Sequence, residues 1–285
     1  MTAVLFVSLE AVGDEEMRIV EHEVTGSSYN PIGSVVGIDR EEMIRNCNGS
    51  IADAVNIMVL CNDARLIGND DSVEHVEKAS DGQEVPREAD IAPYTIEGEP
   101  TEAALLCLVE KLGPRDNAET DSTPTTIASQ NCRHFANRWD RYATLEFDRK
   151  RKSMGVLVKE QKGHARSKLF VKGAPGMLLQ RCTHVKLRDG KIVPISPEVR
   201  DQIEATVESI GGRALRIIGL ASKDGESLDA ELLKENGQYN EILKYSDKFA
   251  TIETGLTLVG LVAIRDPPRP GVSKAIDSCK LAGIR

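Results

Sequence analysis

Residues 144–158 read Thr144-Leu145-Glu146-Phe147-Asp148-Arg149-Lys150-Arg151-Lys152-Ser153-Met154-Gly155-Val156-Leu157-Val158. Thr144–Phe147 and Gly155–Val158 have strand character, and the basic residues between them form a turn. The stretch therefore predicts an antiparallel hairpin. Lys168–Lys172 supplies a third short strand and ends in Gly173-Ala174-Pro175, a turn signal.

Outward from this hairpin, Ala3–Leu9 and Arg18–Thr25 read as strands, followed by a turn at Gly26–Pro31. Ile51–Cys61 is long and unbroken enough for a buried helix. Glu99-Pro100-Thr101 opens a helix with Leu105, Leu108, Val109 and Leu112 on one stripe, stopped by Gly113-Pro114. Ser196-Pro197 caps and starts another, with Val199, Ile203, Val207 and Ile210 on one face and Gly211-Gly212 at its close. Ala214–Ser222 and Leu256–Ile264 read as buried strands. Residues 223–250 between them are charged, with a short helix expected near Ala230–Glu235. A last helix starts at Pro270, shares Val272, Ala275, Ile276 and Cys279 on a face, and ends at Gly283. The order predicts an α+β fold, an antiparallel sheet flanked by helices.

Two segments carry little apolar content. Residues 69–90 hold eight acids against two cations, a local charge of −6, and predict a solvated loop. Residues 114–128 read as a second polar loop.

Composition narrows the function classes. The 285 residues carry a net charge of −9, which argues against a general nucleic-acid binder. The longest nearly unbroken apolar run, Leu256–Ile264, falls far short of the roughly 20 residues of a spanning helix. Residues 1–15 lack the pattern of a secretory signal. No two of the six cysteines lie within four residues, so they read as reduced core thiols of a cytosolic protein. The five histidines have no metal-ligand spacing, and no phosphate loop, dinucleotide fingerprint, nucleophile elbow or zinc-protease motif is present. Neither catalytic residues nor metal ligands are expected.

Three places carry binding chemistry. Phe147 stands just before four consecutive cations in a chain that is 4% aromatic. The segment reads as a solvated turn beside a core ring, as a nuclear-localisation signal, or as an anion site. An anion site would offer an aromatic face for a base and cations for phosphates. Strand alternation would put Phe147 and Arg149 on one side of the sheet. In Phe170-Val171-Lys172-Gly173-Ala174-Pro175, a lysine at a strand end precedes a glycine. That pattern fits close approach of a ligand to the backbone, or a plain strand-to-turn transition. In Gly98-Glu99-Pro100-Thr101-Glu102, the Glu102 carboxylate suits a helix start, and could also accept from an exocyclic amino group.

Together these residues resemble the nucleotide-binding domain of P-type cation pumps, and among them the sarco/endoplasmic-reticulum-type calcium-transporting ATPases. Thr25-Gly26-Ser27-Ser28-Tyr29, Cys61-Asn62-Asp63 and Asp266-Pro267-Pro268-Arg269 add matches in family order over nearly the whole chain. The resemblance implies that Phe147 stacks on adenine and Glu102 contacts its amino group. It implies that Arg149 and Lys152 lie toward the phosphates, and that Lys172 and Gly173 line the pocket wall. It further implies that Arg216 reaches phosphate, Ile218 flanks the base, and Arg269 lies at a hinge near phosphate. Gly176 stands where the family usually has an acid, and Gly155 where it has Ser. The phosphorylated Asp-Lys-Thr-Gly-Thr string and the membrane helices are not in the sequence.

The implied function is an ATP-binding module that orients the γ-phosphate, with Mg2+ accompanying the nucleotide, for transfer to an aspartate in another domain. The implied partners are the phosphorylation and actuator domains of the pump, without nucleic acid or direct membrane contact. It would be a cytosolic domain of a protein in an endoplasmic-reticulum-type membrane, and the isolated chain would bind without turnover. Residues 1–265 would form the nucleotide-binding domain, and 266–285 a hinge and the first helix of the phosphorylation domain. The alternative is an interaction or regulatory module without ATP turnover.

Overall fold

Strands that read as unbroken apolar runs need apolar cover on both faces, and the chain supplies it. A computed structural model describes residues 2–12, 16–26, 29–69, 94–113, 128–161, 167–224, 228, 243, 245–266 and 271–284. The acidic stretch from residue 70, the polar stretch 114–127, the helix expected near Ala230–Glu235, and Arg269 lie outside the described residues.

The chain opens with β1 (Thr2–Val12) and β2 (Glu16–Glu23), then α1 (Glu42–Arg45) and α2 (Ser50–Leu60). A small hairpin of β3 (Arg65–Gly68) and β4 (Tyr94–Glu97) leads into α3 (Pro100–Leu112) and α4 (Gln130–Ala136). Next come β5 (Trp139–Asp148), β6 (Ser153–Glu160), β7 (Ser167–Gly173) and the short α5 (Pro175–Leu179). They are followed by β8 (Cys182–Lys186), β9 (Ile192–Pro194) and α6 (Pro197–Gly212). The rest is β10 (Arg216–Asp224), α7 (Phe249–Ile252), β11 (Leu256–Arg265) and α8 (Val272–Leu281).

Among the described residues one sheet runs β2-β1-β11-β10-β7-β6-β5, with β8 and β9 branching from β11. Every pairing is antiparallel except β8 with β11. Alternation sends Val156, Phe170, Leu220 and Val262 to one face, where they meet Val55 and Met58 of α2 and Leu105 and Leu108 of α3. Leu157, Leu169, Ala221 and Leu261 point the other way, against Leu178 of α5, Ile203 and Ile210 of α6, and Ile252 of α7. The sheet is thus sandwiched between two helical layers, which explains runs such as Leu256–Ile264 without polar interruptions.

The α+β reading, its antiparallel sheet and its long helices are present. The Ser196 hydroxyl caps α6 by accepting from the Val199 amide at 3.3 Å, as its position predicts. Several elements are additional: β3, β4, β8, β9, α1, α4, α5 and α7. Most run three to five residues, too short for periodicity to speak. The expected single stripe on α3 is also an understatement, because Ala103–Leu112 is buried all round. Its charged pair is satisfied inside. The Glu110 carboxylate accepts the Asn131 and Cys132 amides at 3.1 and 2.9 Å, capping α4 from another helix. Lys111 donates to the Thr25 carbonyl at 2.8 Å.

All six cysteines are free thiols, but Cys47 and Cys279 are exposed, which corrects the reading of all six as core. In α8 every residue is exposed, Val272 and Ile276 included.

Candidate functional site

The β5–β6 turn is built by Asp148. Its carboxylate accepts the Lys150 and Arg151 amides at 2.7 and 2.9 Å, and its carbonyl accepts the Lys152 amide at 2.7 Å. These amides hold the Asp148 carboxyl below the usual carboxylate range. Lys152 takes a left-handed φ of 51°, an uncommon conformation for a residue with a side chain.

Just before the turn, the register slips. Leu145 faces Gly155 and Asp148 faces Ser153, so β5 spends one residue more than β6. This bulge decides where Phe147 goes. By simple alternation Phe147 would share the face of Leu145, which is fully buried against the α5–α6 layer. After the slip Asp148 takes that parity with Ser153, and Phe147 moves to the opposite face, beside Met154 and Lys172. There its ring is 62% exposed, an apolar surface left in water. Arg149 lies past the end of β5, within the turn, so alternation does not place it. It is exposed, as are Lys150 and Lys152, and Lys150 lies near enough to the Asp148 carboxylate to attract it.

Arg151 is different. It is buried, and its guanidinium contacts the buried Glu253 carboxylate and the Glu146 carbonyl. The four cations of the sequence are therefore three at the surface and one inside.

Lys172 lies in register with Met154 on β6 and Leu220 on β10. It stands two strand spacings from Phe147, roughly 10 Å. Its ammonium donates to Glu102 Oε1 at 2.5 Å, and both side chains are mostly buried. Glu102 Oε2 accepts the Asp63 amide at 3.0 Å. The Asn62 side chain ties the Glu102 carbonyl (2.9 Å) to that of Met58 (3.0 Å). Arg141 in turn donates to Asp63 at 3.1 Å. Glu102 is thus fixed by β7 on one side and by the Cys61-Asn62-Asp63 corner on the other. Burial pushes the adjacent Cys61 thiol up to about 12, so it is no nucleophile.

Gly173 closes this wall. A Cβ there would meet the Lys152 carbonyl at 2.5 Å and the Ser153 Cα at 2.9 Å, so only glycine lets β7 lie this close to the turn. Ile218 packs, half-buried, against the core that α2 and α3 cover. Arg216, two residues before it on the same face, is exposed and donates to the Thr101 hydroxyl at 3.2 Å, at the start of α3.

The fold brings Phe147, Glu102, Lys172, Ile218 and Arg216 to one face of the sheet, beside the N-terminus of α3. Gly173 and the turn cations Arg149 and Lys152 border it. Arg269 lies outside the described residues. Sequence reasoning missed Arg151, Arg181 and Glu253, which meet behind the turn, and Thr101, which holds Arg216. The only sequence signal for the first group was the excess of cations over what a turn needs. Among the described residues no group of three His, Cys, Asp or Glu side chains is placed to hold a metal ion. Likewise no helix is long and apolar enough to cross a membrane.

An exposed aromatic face, a carboxylate acceptor and flanking cations fit a ligand with a planar base and an anionic tail. The chain is also similar in sequence to known proteins. The family described as P-type ATPase, cytoplasmic domain N, matches residues 50–271. The endoplasmic reticulum calcium ATPase srcA of Aspergillus fumigatus is 34% identical over 293 residues, covering 100% of this chain and 27% of its own length. Calcium-transporting ATPase 4, endoplasmic reticulum-type, of Arabidopsis thaliana is 35% identical over 280 residues, covering 97% of this chain and 24% of its own. Calcium-transporting ATPase 2, endoplasmic reticulum-type, of the same plant is 40% identical over 199 residues, covering 66% and 18%. The chain spans about a quarter or less of the length of these curated relatives.

Proposed function

The chain belongs to the family of P-type ATPase cytoplasmic N domains, and on that premise we propose that it is the ATP-binding module of a calcium-transporting pump of the endoplasmic-reticulum type. The observation that carries the reading is the exposed Phe147 ring, turned by the β5 bulge onto the face of Lys172 and Glu102. In this proposal adenine stacks on Phe147 with Ile218 beside it, while Lys172 and Gly173 form the wall. The base amino group donates to Glu102, and Lys172 keeps that carboxylate oriented. Arg149, Lys152 and Arg216 stand along the anionic tail, with Arg269 joining them at the hinge.

The residues present fit a nucleotide because they pair an apolar face with exposed cations. When bound with it, Mg2+ would shield the phosphates. The protein's part is orientation of the γ-phosphate, since positioning and charge are what phosphoryl transfer asks of a protein. The acceptor aspartate would lie on another domain, and hinge movement beyond residue 265 would bring the two together. The uncovered apolar stripe of α8 supports residues 266–285 as the part that meets the phosphorylation domain, with 1–265 as the nucleotide-binding domain. The module would sit on the cytosolic side of its membrane and bind without turnover.

Isothermal titration with ATP tests the reading. The chain should bind, and Phe147→Ala should bind more weakly. Equal affinity of the two would remove adenine stacking, and steady phosphate release by the pure chain would remove binding without turnover.

A further inference from the structure

Behind the turn, on the face away from the proposed nucleotide, sits an ionic group that binding itself does not use. Glu253, between α7 and β11, is fully buried. Its carboxylate receives Arg151 from the turn, Arg181 from the loop after α5, and the Ser153 hydroxyl at 2.7 Å. Arg181 also donates to the Arg151 carbonyl at 3.1 Å and the Met177 carbonyl at 3.0 Å. Arg151 rests over the Phe249 ring at 5.3 Å and donates to the Glu146 carbonyl. That last contact falls inside the β5 bulge, one residue before Phe147.

A buried acid with two arginines adds little stability over an apolar trio, because desolvation offsets the attraction. What such a group does well is fix geometry. Resting on the nucleotide reading above, we infer that Glu253 is the positioning residue of the binding hairpin. It draws Arg151 inward out of the row of cations. Arg151 then anchors the bulged Glu146 carbonyl, which turns Phe147 to the Lys172 face. With the Arg151 side chain inside and its carbonyl held by Arg181, the chain reverses through the left-handed Lys152. Glu253 touches no nucleotide and acts only through Arg151.

The test uses the full chain and ATP. Glu253→Gln should weaken ATP binding about tenfold or more by titration. Leu9→Ala, a core substitution outside the site, gives a reference for lost stability alone and should leave affinity unchanged. Combined with Phe147→Ala, Glu253→Gln should add little further loss, because both act through one ring. Unchanged affinity in folded Glu253→Gln, or fully additive losses in the double variant, would overturn the inference. Should Glu253→Gln not fold, the apolar trio Arg151→Met, Arg181→Met, Glu253→Leu takes its place, and full ATP affinity in that variant overturns the inference equally. NMR shifts of amides 146–153 report the hairpin without ligand and should move in Glu253→Gln. A parent chain that does not bind ATP, with those amides still moving, would sink the nucleotide reading and leave the positioning role standing.

Discussion

Two groups of cations in this chain meet buried acids, and they end differently. On the α2 side of the sheet, Asp53 is met by Lys186 at 2.5 Å and by Lys168 at 3.7 Å. Lys168 also reaches Asp224 at 3.1 Å and lies over the Trp139 ring. Both lysines there are used up. At the β5–β6 turn, Glu253 takes in Arg151 and the distant Arg181, leaving Arg149, Lys150 and Lys152 outside. The first cluster is architecture. The second is architecture with a surplus, and the surplus follows closely in the chain on an exposed aromatic ring. A run of cations becomes a binding surface only after subtracting those that a buried acid consumes.

The largest effect expected from breaking this contrast is at the consumed cluster. Asp53→Ala leaves Lys186 buried without its acid and should cost about 3–5 kcal/mol of stability, read from the urea midpoint. ATP affinity should stay unchanged. Loss of binding in the folded variant would show that the two clusters are not separable.

Phe147→Ala should do the reverse. Base stacking of this kind is worth about 1–3 kcal/mol, so affinity should fall about 5- to 150-fold. An exposed side chain should change the melting free energy by no more than about 0.5 kcal/mol. A large drop in melting temperature would mean the ring belongs to the core after all.

Lys152→Gly sharpens the contrast within a single residue. Relief of the left-handed backbone should raise stability by about 0.5–1 kcal/mol. Loss of an exposed cation should weaken ATP binding by up to about 1 kcal/mol, and less at high salt. If both quantities fall, Lys152 serves the architecture and not the surplus.

The smallest effect calibrates the other three from a third place. His22 is buried, donates from Nδ1 to the Val36 carbonyl at 2.9 Å, and accepts at Nε2 from the Ser8 hydroxyl at 2.8 Å. Burial holds its folded-state pKa below the ordinary value of 6.5, although the Val36 carbonyl and then Glu10 and Glu42 pull the other way. The unfolded chain then takes up a proton first. Stability should be full above about pH 6.5 and decline as pH falls through the folded-state value. Thermal melts between pH 7.5 and 5 check this, and His22→Gln should flatten the curve. ATP affinity at pH 7.5 should be the same in His22→Gln as in the parent chain.

The long elements were legible because their apolar patterns are long: β11 as a run of buried residues, α6 by its stripe and its Ser196 cap. The basic turn was legible too, since a run of charges separates two strand-like stretches, and the structure adds Asp148 as its side-chain acceptor. The direction of Phe147 was not. Alternation along β5 points it at the core, and only the pairing with β6 shows the extra residue that turns it away. The fate of Arg151 was equally hidden. Its partner Glu253 lies 102 residues away with no motif around it. The same holds for Glu102 and Lys172, each singled out from its own stretch of sequence, while their ion pair across 70 residues is a product of the fold.

Gly173 carries one more consequence. Its missing side chain lets β7 press against the Lys152 carbonyl and the Cα and Cβ of Ser153, so the gap between wall and turn is set almost wholly by main chain. The spacing of wall and turn is then inherited separately from the chemistry of the side chains around them. Neighbouring side chains can be exchanged during evolution while the distance from β7 to the turn keeps its value.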